Sequence, residues 1–219
     1  PGAGQNGDSC SDNGAGGGGY GGYGGDGKSV SGGLAYGNLT QPTDFGSGGG
    51  NEDNYGGHGG GVIFLNVTDT LIINGSITSD GGNSYGGSYC NGRTYGGGGS
   101  GGSIWIITNT FEGNGSITAN GGNGDIRGGG GSGGRIAVYY TTKEFKGSIA
   151  SYGGSGQNYG ASGTIYLKNI SANYFEIIID NNNNAGAETP LIENLTVNTP
   201  NNLILKNKGN LEIPENITL

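Results

Sequence analysis

The chain has no methionine, one tryptophan, one histidine and two cysteines among 219 residues. Only nine residues are lysine or arginine, and they are scattered singly. This excludes the clustered basic patch that nucleic acid or an anionic membrane surface requires. No apolar run approaches the roughly 18 residues of a membrane-spanning helix. We therefore expect no nucleic-acid partner and no membrane insertion.

Glycine is the abundant residue, with 56 glycines against five prolines. Such a composition is typical of low-complexity or disordered chains. Glycine also loses more backbone entropy on folding than any other residue, so an ordered glycine run needs compensation from elsewhere. The placement of the apolar residues decides between disorder and a repeated fold.

Short apolar segments follow glycine runs at four places: GGGVIFL, GSGGSIWII, GSGGRIAVY and SGTIYLK. Aligned with one another, they give a second strand position of Val62, Ile104, Ile136 and Ile165. The fourth position is Phe64, Ile106, Val138 and Leu167, while the third varies as Ile63, Trp105, Ala137 and Tyr166. Strand side chains alternate between faces, so the two apolar columns share a face and the variable column lies opposite. The pattern predicts an all-β parallel solenoid whose repeats bury their faces against one another.

Composition divides the chain into three parts. Residues 1–58 are a glycine-rich N-terminal segment with a first degenerate repeat at Leu34–Thr40, and we expect almost nothing in residues 1–33 to fill a core. Residues 59–180 hold the repeated solenoid turns. Residues 181–219 are a glycine-poor β tail whose alternating pattern predicts strands that could pair with a neighbouring subunit.

The glycine runs themselves need a stabilising contact if they are ordered. Each ordered residue costs about 1–2 kcal/mol of backbone entropy, which the few apolar side chains do not offset for long glycine runs. Extended, polyproline-II-like glycine segments without Cβ atoms can pack and hydrogen-bond laterally, as in collagen. We therefore predict that the glycine runs of successive repeats stack on one another as one face of the solenoid.

The motifs GGGGSGGSIWII, NGSITANGG, GGGGSGGRIAVYY and GTIYLK together resemble those of glycine-rich parallel β-helix domains related to the pectin-lyase-like fold. The resemblance covers roughly Gly14–Asp180. Such domains occur in large surface and fibre-forming proteins of microbes and protists. The resemblance implies a right-handed β-solenoid with an extracellular or cell-surface structural role, and it supplies no catalytic residues.

Chemistry-bearing residues do not converge in the predicted repeats. The acids are spread over corners and share no column: Glu112, Asp125, Glu144, Glu176 and Asp180. Polysaccharide-cleaving sites need clustered carboxylates. The sequence therefore predicts no enzyme, no catalytic residue, no cofactor and no metal site.

Two kinds of covalent modification are suggested by the sequence. Cys10 and Cys90 are either unrelated thiols or, as we favour, one disulfide. The N-x-[ST] acceptor pattern predicts N-glycans at one or more of Asn38, Asn66, Asn74, Asn114, Asn169, Asn194 and Asn216. The alternative for Asn74 and Asn114 is structural, because Asn-Gly is a favoured tight turn.

The outward column supplies the last candidate surface. Trp105 and Tyr166 are predicted to face away from the core, and aromatic side chains are enriched at interfaces. We expect a homopolymer: a structural subunit of an extracellular, glycosylated filament or surface layer that assembles head to tail. The alternative is a carbohydrate-binding or adhesion module that uses these outward aromatic residues.

Overall fold

The computed structural model describes residues 2–7, 14–51, 55–85, 95–192 and 202–215. Over these residues the chain is all-β and contains no helix. The first six strands are β1 (Val62–Ile72), β2 (Ser76–Thr78), β3 (Ser103–Glu112), β4 (Ser116–Thr118), β5 (Arg135–Tyr140) and β6 (Thr142–Lys143). The others are β7 (Ser148–Ala150), β8 (Thr164–Asn169), β9 (Tyr174–Asp180), β10 (Thr189–Pro190), β11 (Asn202–Lys206) and β12 (Leu211–Glu212).

Most of these strands pair in parallel. The main sheet has the order β1-β3-β5-β8-β9-β11, and β6 also pairs with β3. A three-stranded sheet has the order β2-β4-β7, and β10 pairs with β12. Among the strand pairs that the structure describes, only β8–β9 is antiparallel. In each of three successive repeats, the chain thus contributes a strand to the main sheet and then a strand to the three-stranded sheet.

The hydrophobic core lies where the three-stranded sheet packs on one face of the main sheet. The predicted pairing of Ile104 with Ile136, and of Ile136 with Ile165, is confirmed. In the three-stranded sheet the matching column is Ile77, Ile117 and Ile149. The two sets of isoleucines belong to one buried cluster, in which the rings of Phe111 and Phe145 stack with centroids 4.5 Å apart.

The predicted alignment of the first repeat is wrong by one residue. Ile63 pairs with Ile104, so Ile63 and not Val62 begins the core column. The position before the core isoleucine is polar in the later repeats but is valine in the first. The alignment therefore took this valine for the first residue of the apolar column. Phe64 consequently lies in the variable column, where its ring packs against Trp105 with centroids 4.7 Å apart.

The opposite face of the main sheet is also covered. A second cluster of buried side chains lies on it, made of Leu39, Ala137, Tyr166, Phe175, Ile177, Ile179 and Leu191. Leu39 belongs to the stretch predicted as a degenerate strand, Leu34–Thr40, which forms no strand and instead lies over this face. The middle of the variable column, at Ala137 and Tyr166, therefore points into a second core and not into solvent.

The glycine runs hydrogen-bond to one another through their main chains. Three runs, which we call the central glycine runs, are buried along most of their length: residues 15–21, 97–103 and 129–135. From Ala15 to Tyr20, successive N–H groups of the first run donate in three directions in turn, so that every third residue donates to the same neighbouring segment. The first five donor–acceptor pairs are Ala15–Tyr95, Gly16–Gln5, Gly17–Gly25, Gly18–Gly98 and Gly19–Gly2. This period equals the three residues per turn of polyproline II.

Close approach explains why these positions are glycine. A Cβ atom built on Gly131 would lie 2.0 Å from the carbonyl oxygen of Gly99, and one on Gly17 would lie 2.0 Å from that of Gly130. Both distances are far inside a van der Waals contact. The predicted lateral packing of glycine main chains is therefore present. Any side chain at these two positions would push the neighbouring glycine runs apart.

The N-terminal segment contributes more to the interior than predicted. Residues 14–22 are buried, and Tyr20 has no exposed surface. Gly18 donates to Gly98, and Ser132 donates to Gly18, so this segment lies between the glycine runs of two later repeats. The expectation that residues 1–33 fill no core is wrong, because backbone rather than side-chain atoms fill much of this interior.

Candidate functional site: two free strand edges

The acidic side chains form no evident metal site. In the described ranges, no three His, Cys, Asp or Glu side chains lie close enough together to hold a metal ion. That part of the chain also has no helix that is both long and apolar enough to cross a membrane. What the described residues do contain is a buried polar cluster around Arg135 and two free strand edges.

The buried polar cluster fastens the N-terminal segment to the main sheet. Arg135 has no exposed surface; its Nε donates to the carbonyl of Tyr36 at 2.9 Å and its Nη1 to Thr164 Oγ1 at 3.2 Å. The guanidinium also lies over the ring of Tyr20, 5.6 Å from its centroid. Ser103 Oγ donates to the carbonyl of Asp44 at 2.6 Å, so Tyr20 Oη donates to Ser103 Oγ at 2.5 Å. Because these groups bond to backbone carbonyls and to one another, we assign the cluster a structural role.

Alkaline pH is expected to destabilise the protein through Tyr20. Burial raises the pKa of this phenol from 10.0 to about 12, against the opposing effect of the Arg135 charge. The unfolded chain ionises first, so the stabilisation is complete below pH 10 and is lost as pH rises through 12. The loss is ~3 kcal/mol, and Tyr20→Phe should remove it. Unfolding free energies of both proteins at pH 8 and above pH 12 test this; an equal alkaline loss in the variant would contradict it.

The modification candidates differ in their surroundings. Cys10, Cys90, Asn194 and Asn216 lie outside the described residues. Asn38 is exposed, and its Oδ1 accepts hydrogen bonds from the N–H and hydroxyl of Thr40, at 3.0 and 2.9 Å, and from the N–H of Gln41. Asn66 is exposed on β1. The side-chain nitrogen of Asn169, the atom to which a glycan would be attached, instead donates to the carbonyl of Thr141. This side chain is therefore more constrained as a glycosylation site than those of Asn38 and Asn66.

Asn74 and Asn114 occupy equivalent exposed corners. The N–H of Asn114 donates to Oδ1 of Asn74 at 3.2 Å, so the corners are linked in the way that the structural alternative requires. A similar ladder runs alongside: the backbone N–H of Asn123 donates to Asn83 Oδ1, and the backbone N–H of Ser155 donates to Asn123 Oδ1. These ladders add side-chain hydrogen bonds between successive repeats.

The two predicted contact aromatics lie in the second core. Tyr166 is only 6% exposed, and its ring packs against Phe175 with centroids 5.3 Å apart. Trp105 is half-buried and packs against the same cluster. The expected outward position of Tyr166 is wrong, because Leu39 and Leu191 pack on the face on which it lies, beside Phe175 and Ile177 of the neighbouring strand β9.

Exposed apolar side chains occur at both free edges of the main sheet. Strand β1 pairs only with β3, and β11 only with β9, so each leaves one edge without a strand partner among the described residues. Phe64 on β1 is 51% exposed, and Leu203 and Leu205 on β11 are 40% and 49% exposed. Unpaired edges of this kind recruit further strands unless they are protected.

The two edges also differ in charge. From Ser29 to Gly92 the sequence has no lysine or arginine, and Asp69 lies on β1. Lys206 ends β11, and Lys208 follows it. Strand β1 thus carries one carboxylate and no cation, whereas β11 ends in Lys206, whose Nζ lies 3.3 Å from Asp180 Oδ2 of the same chain.

Comparisons with known proteins identify no relative. No protein-family model, no curated protein and no solved structure matches this chain.

Proposed function

We propose that this chain is a structural subunit of an extracellular, N-glycosylated filament or surface layer that assembles head to tail. We further propose that its repeats form a right-handed parallel β-solenoid, with the glycine runs stacked as one face. The in-register columns across β1, β3, β5 and β8, and the threefold hydrogen bonding of the glycine runs, support this architecture. The resemblance to glycine-rich β-helix domains supports the extracellular role.

One observation carries the filament proposal: within the described part of the chain, the main sheet has a free edge at each end, and both edges expose apolar side chains. Strand addition satisfies the unpaired main-chain groups of such edges. Because the two edges are different surfaces, their contact is heterologous, and a heterologous contact that does not close into a ring produces a filament.

The side-chain ladders support growth at the β1 end. Within the ladders, the N–H of Asn120 donates to Asp80 and that of Asn123 donates to Asn83. The equivalent N–H groups of Asp80 and Asn83, in the first repeat, have no such partner among the described residues. A further layer beyond β1 would supply one.

The adhesion alternative is less favoured because Tyr166, one of the two aromatic residues it relied on, is buried. Negative-stain electron microscopy of the purified protein tests the filament proposal, with light scattering over a concentration series as the second readout. We expect fibres or sheets with a fixed axial repeat. A monodisperse monomer at every concentration would contradict the proposal.

A further inference from the structure

We propose that the contact between subunits is an antiparallel strand pair, in which β11 of one copy adds to the free edge of β1 of the next with Ile204 opposite Ile63. This inference rests on the proposed function and names the surfaces that carry it. The partner of each edge is a second copy of this chain.

The first argument is the continuity of a core column. One isoleucine from each main-sheet strand lies in register across the sheet: Ile63, Ile104, Ile136, Ile165, Ile178 and Ile204. The column is fully or nearly fully buried at Ile104, Ile136 and Ile165, and it is only partly buried at its ends. Pairing Ile204 with Ile63 of the next copy continues the column without interruption.

The direction of pairing follows from the sheet topology. Strand β9 is antiparallel to β8, and β11 is parallel to β9, so β11 runs opposite to β1 within the sheet. A second copy placed beyond β11 in the same orientation therefore presents β1 antiparallel to β11. Antiparallel pairing of this kind therefore does not require one subunit to be reversed relative to the next.

The second argument comes from the other face of the sheet. Its column begins at Phe64 and ends at Leu203, through Trp105, Ala137, Tyr166 and Ile177. The last three of these inner residues are at most 6% exposed, whereas both ends are open to solvent. The register that places Ile204 opposite Ile63 also places Leu203 opposite Phe64. One contact therefore covers exposed apolar side chains from both edges.

The lengths of the two strands fit the same register. Regular pairing along β1 extends from Val62 to Val67 before the register shifts, so residues 202–205 of β11 lie opposite residues 65–62 in the straight part of β1. Lys206 then faces Gly61, where a side chain would have open space around it. Lys206 is already paired with Asp180 of its own subunit at 3.3 Å, so register and apolar contact, and not charge, favour the pairing of β11 with β1.

Two edge variants test the pairing. Leu203→Asp with Leu205→Asp places carboxylates on the β11 edge and leaves β1 intact, whereas Phe64→Asp blocks β1 and leaves β11 intact. We expect each protein to remain monomeric by light scattering at concentrations where the wild type assembles. Mixed in equal amounts, they should form one heterodimer and nothing longer, because only one open edge of each kind remains. Ile126→Asp is the matched control, since this side chain is 79% exposed in a turn away from both edges, and it should assemble like the wild type.

The outcomes separate this inference from the proposed function. If the wild type never assembles, both fall. If the wild type assembles and either edge variant assembles equally well, or if the mixture fails to form the heterodimer or grows beyond it, the pairing is overturned while the filament stands. Thermal unfolding by circular dichroism checks that each variant is folded, and Phe64→Ser replaces Phe64→Asp if the latter is not.

Discussion

Gly131→Ala is expected to lower the free energy of unfolding by about 4 kcal/mol or more, which is exceptional for adding one methyl group. The new Cβ would lie 2.0 Å from the carbonyl oxygen of Gly99. Overpacking a core usually costs about 1–3 kcal/mol, because side chains can change rotamer to make room. Here the neighbouring atoms belong to the main chain of Gly99, which is itself hydrogen-bonded. The steric clash can therefore be relieved only if two backbone segments separate. Urea denaturation followed by circular dichroism measures the loss.

Gly75→Ala is the matched control for this prediction. No atom lies within 4 Å of a Cβ built on Gly75, and its backbone is not in the left-handed region. The substitution should be neutral, or stabilising by up to about 1 kcal/mol through the unfolded chain. Equal effects at Gly131 and Gly75 would mean that the glycine runs are not packed as described.

Arg135→Ala is expected to lower the free energy of unfolding by about 4 kcal/mol. The guanidinium is fully buried and donates to the carbonyl of Tyr36 and to Thr164. Removing it leaves buried acceptors without their donor, at about 1–3 kcal/mol for each, and also leaves a cavity. The segment that carries Tyr36 should detach first, and thermal unfolding combined with limited proteolysis would detect this.

Arg135→Lys distinguishes charge from geometry in the same experiment. Lysine keeps the positive charge but lacks the planar fork that reaches several acceptors at once. We expect it to recover less than half of the loss caused by alanine. Full recovery would show that the charge alone suffices, and an alanine variant as stable as the wild type would remove the structural role assigned to the cluster.

The sequence predicted the strands better than the layers that cover them. Glycine runs followed by alternating apolar residues located the strands that carry Ile104, Ile136 and Ile165, and their register was predicted correctly. The same method failed at Val62, because one position of the repeat changes from polar to apolar there. An alignment that required serine, arginine or threonine before the core isoleucine would have flagged this repeat as different.

Burial on the second face could not be predicted from the repeat. Tyr166 sits in a column that varies freely, which is typical of a solvent-facing position. It is buried because Leu39, more than a hundred residues earlier, packs on that face, and because β9 returns antiparallel beside β8 and places Phe175 next to Tyr166. Neither contact leaves a periodic signal near Tyr166.

The buried N-terminal glycine segment was the largest error. Sequence patterns report core formation through apolar side chains, and residues 14–22 have almost none. Their interior position depends on hydrogen bonds from main chain to main chain, for which the only sequence signal is the absence of a Cβ atom. The same signal marks a flexible linker, so composition alone does not separate the two.

Amide hydrogen exchange of the glycine runs tests the central claim most directly. Every N–H from Gly97 to Gly102, and from Gly129 to Gly134, donates to a main-chain carbonyl. We predict that these amides exchange as slowly as those of the strands they precede, β3 and β5, whereas the amide of Gly75 exchanges quickly. Exchange of the glycine amides at the rate of an unfolded peptide, while β3 and β5 stay protected, would contradict the account.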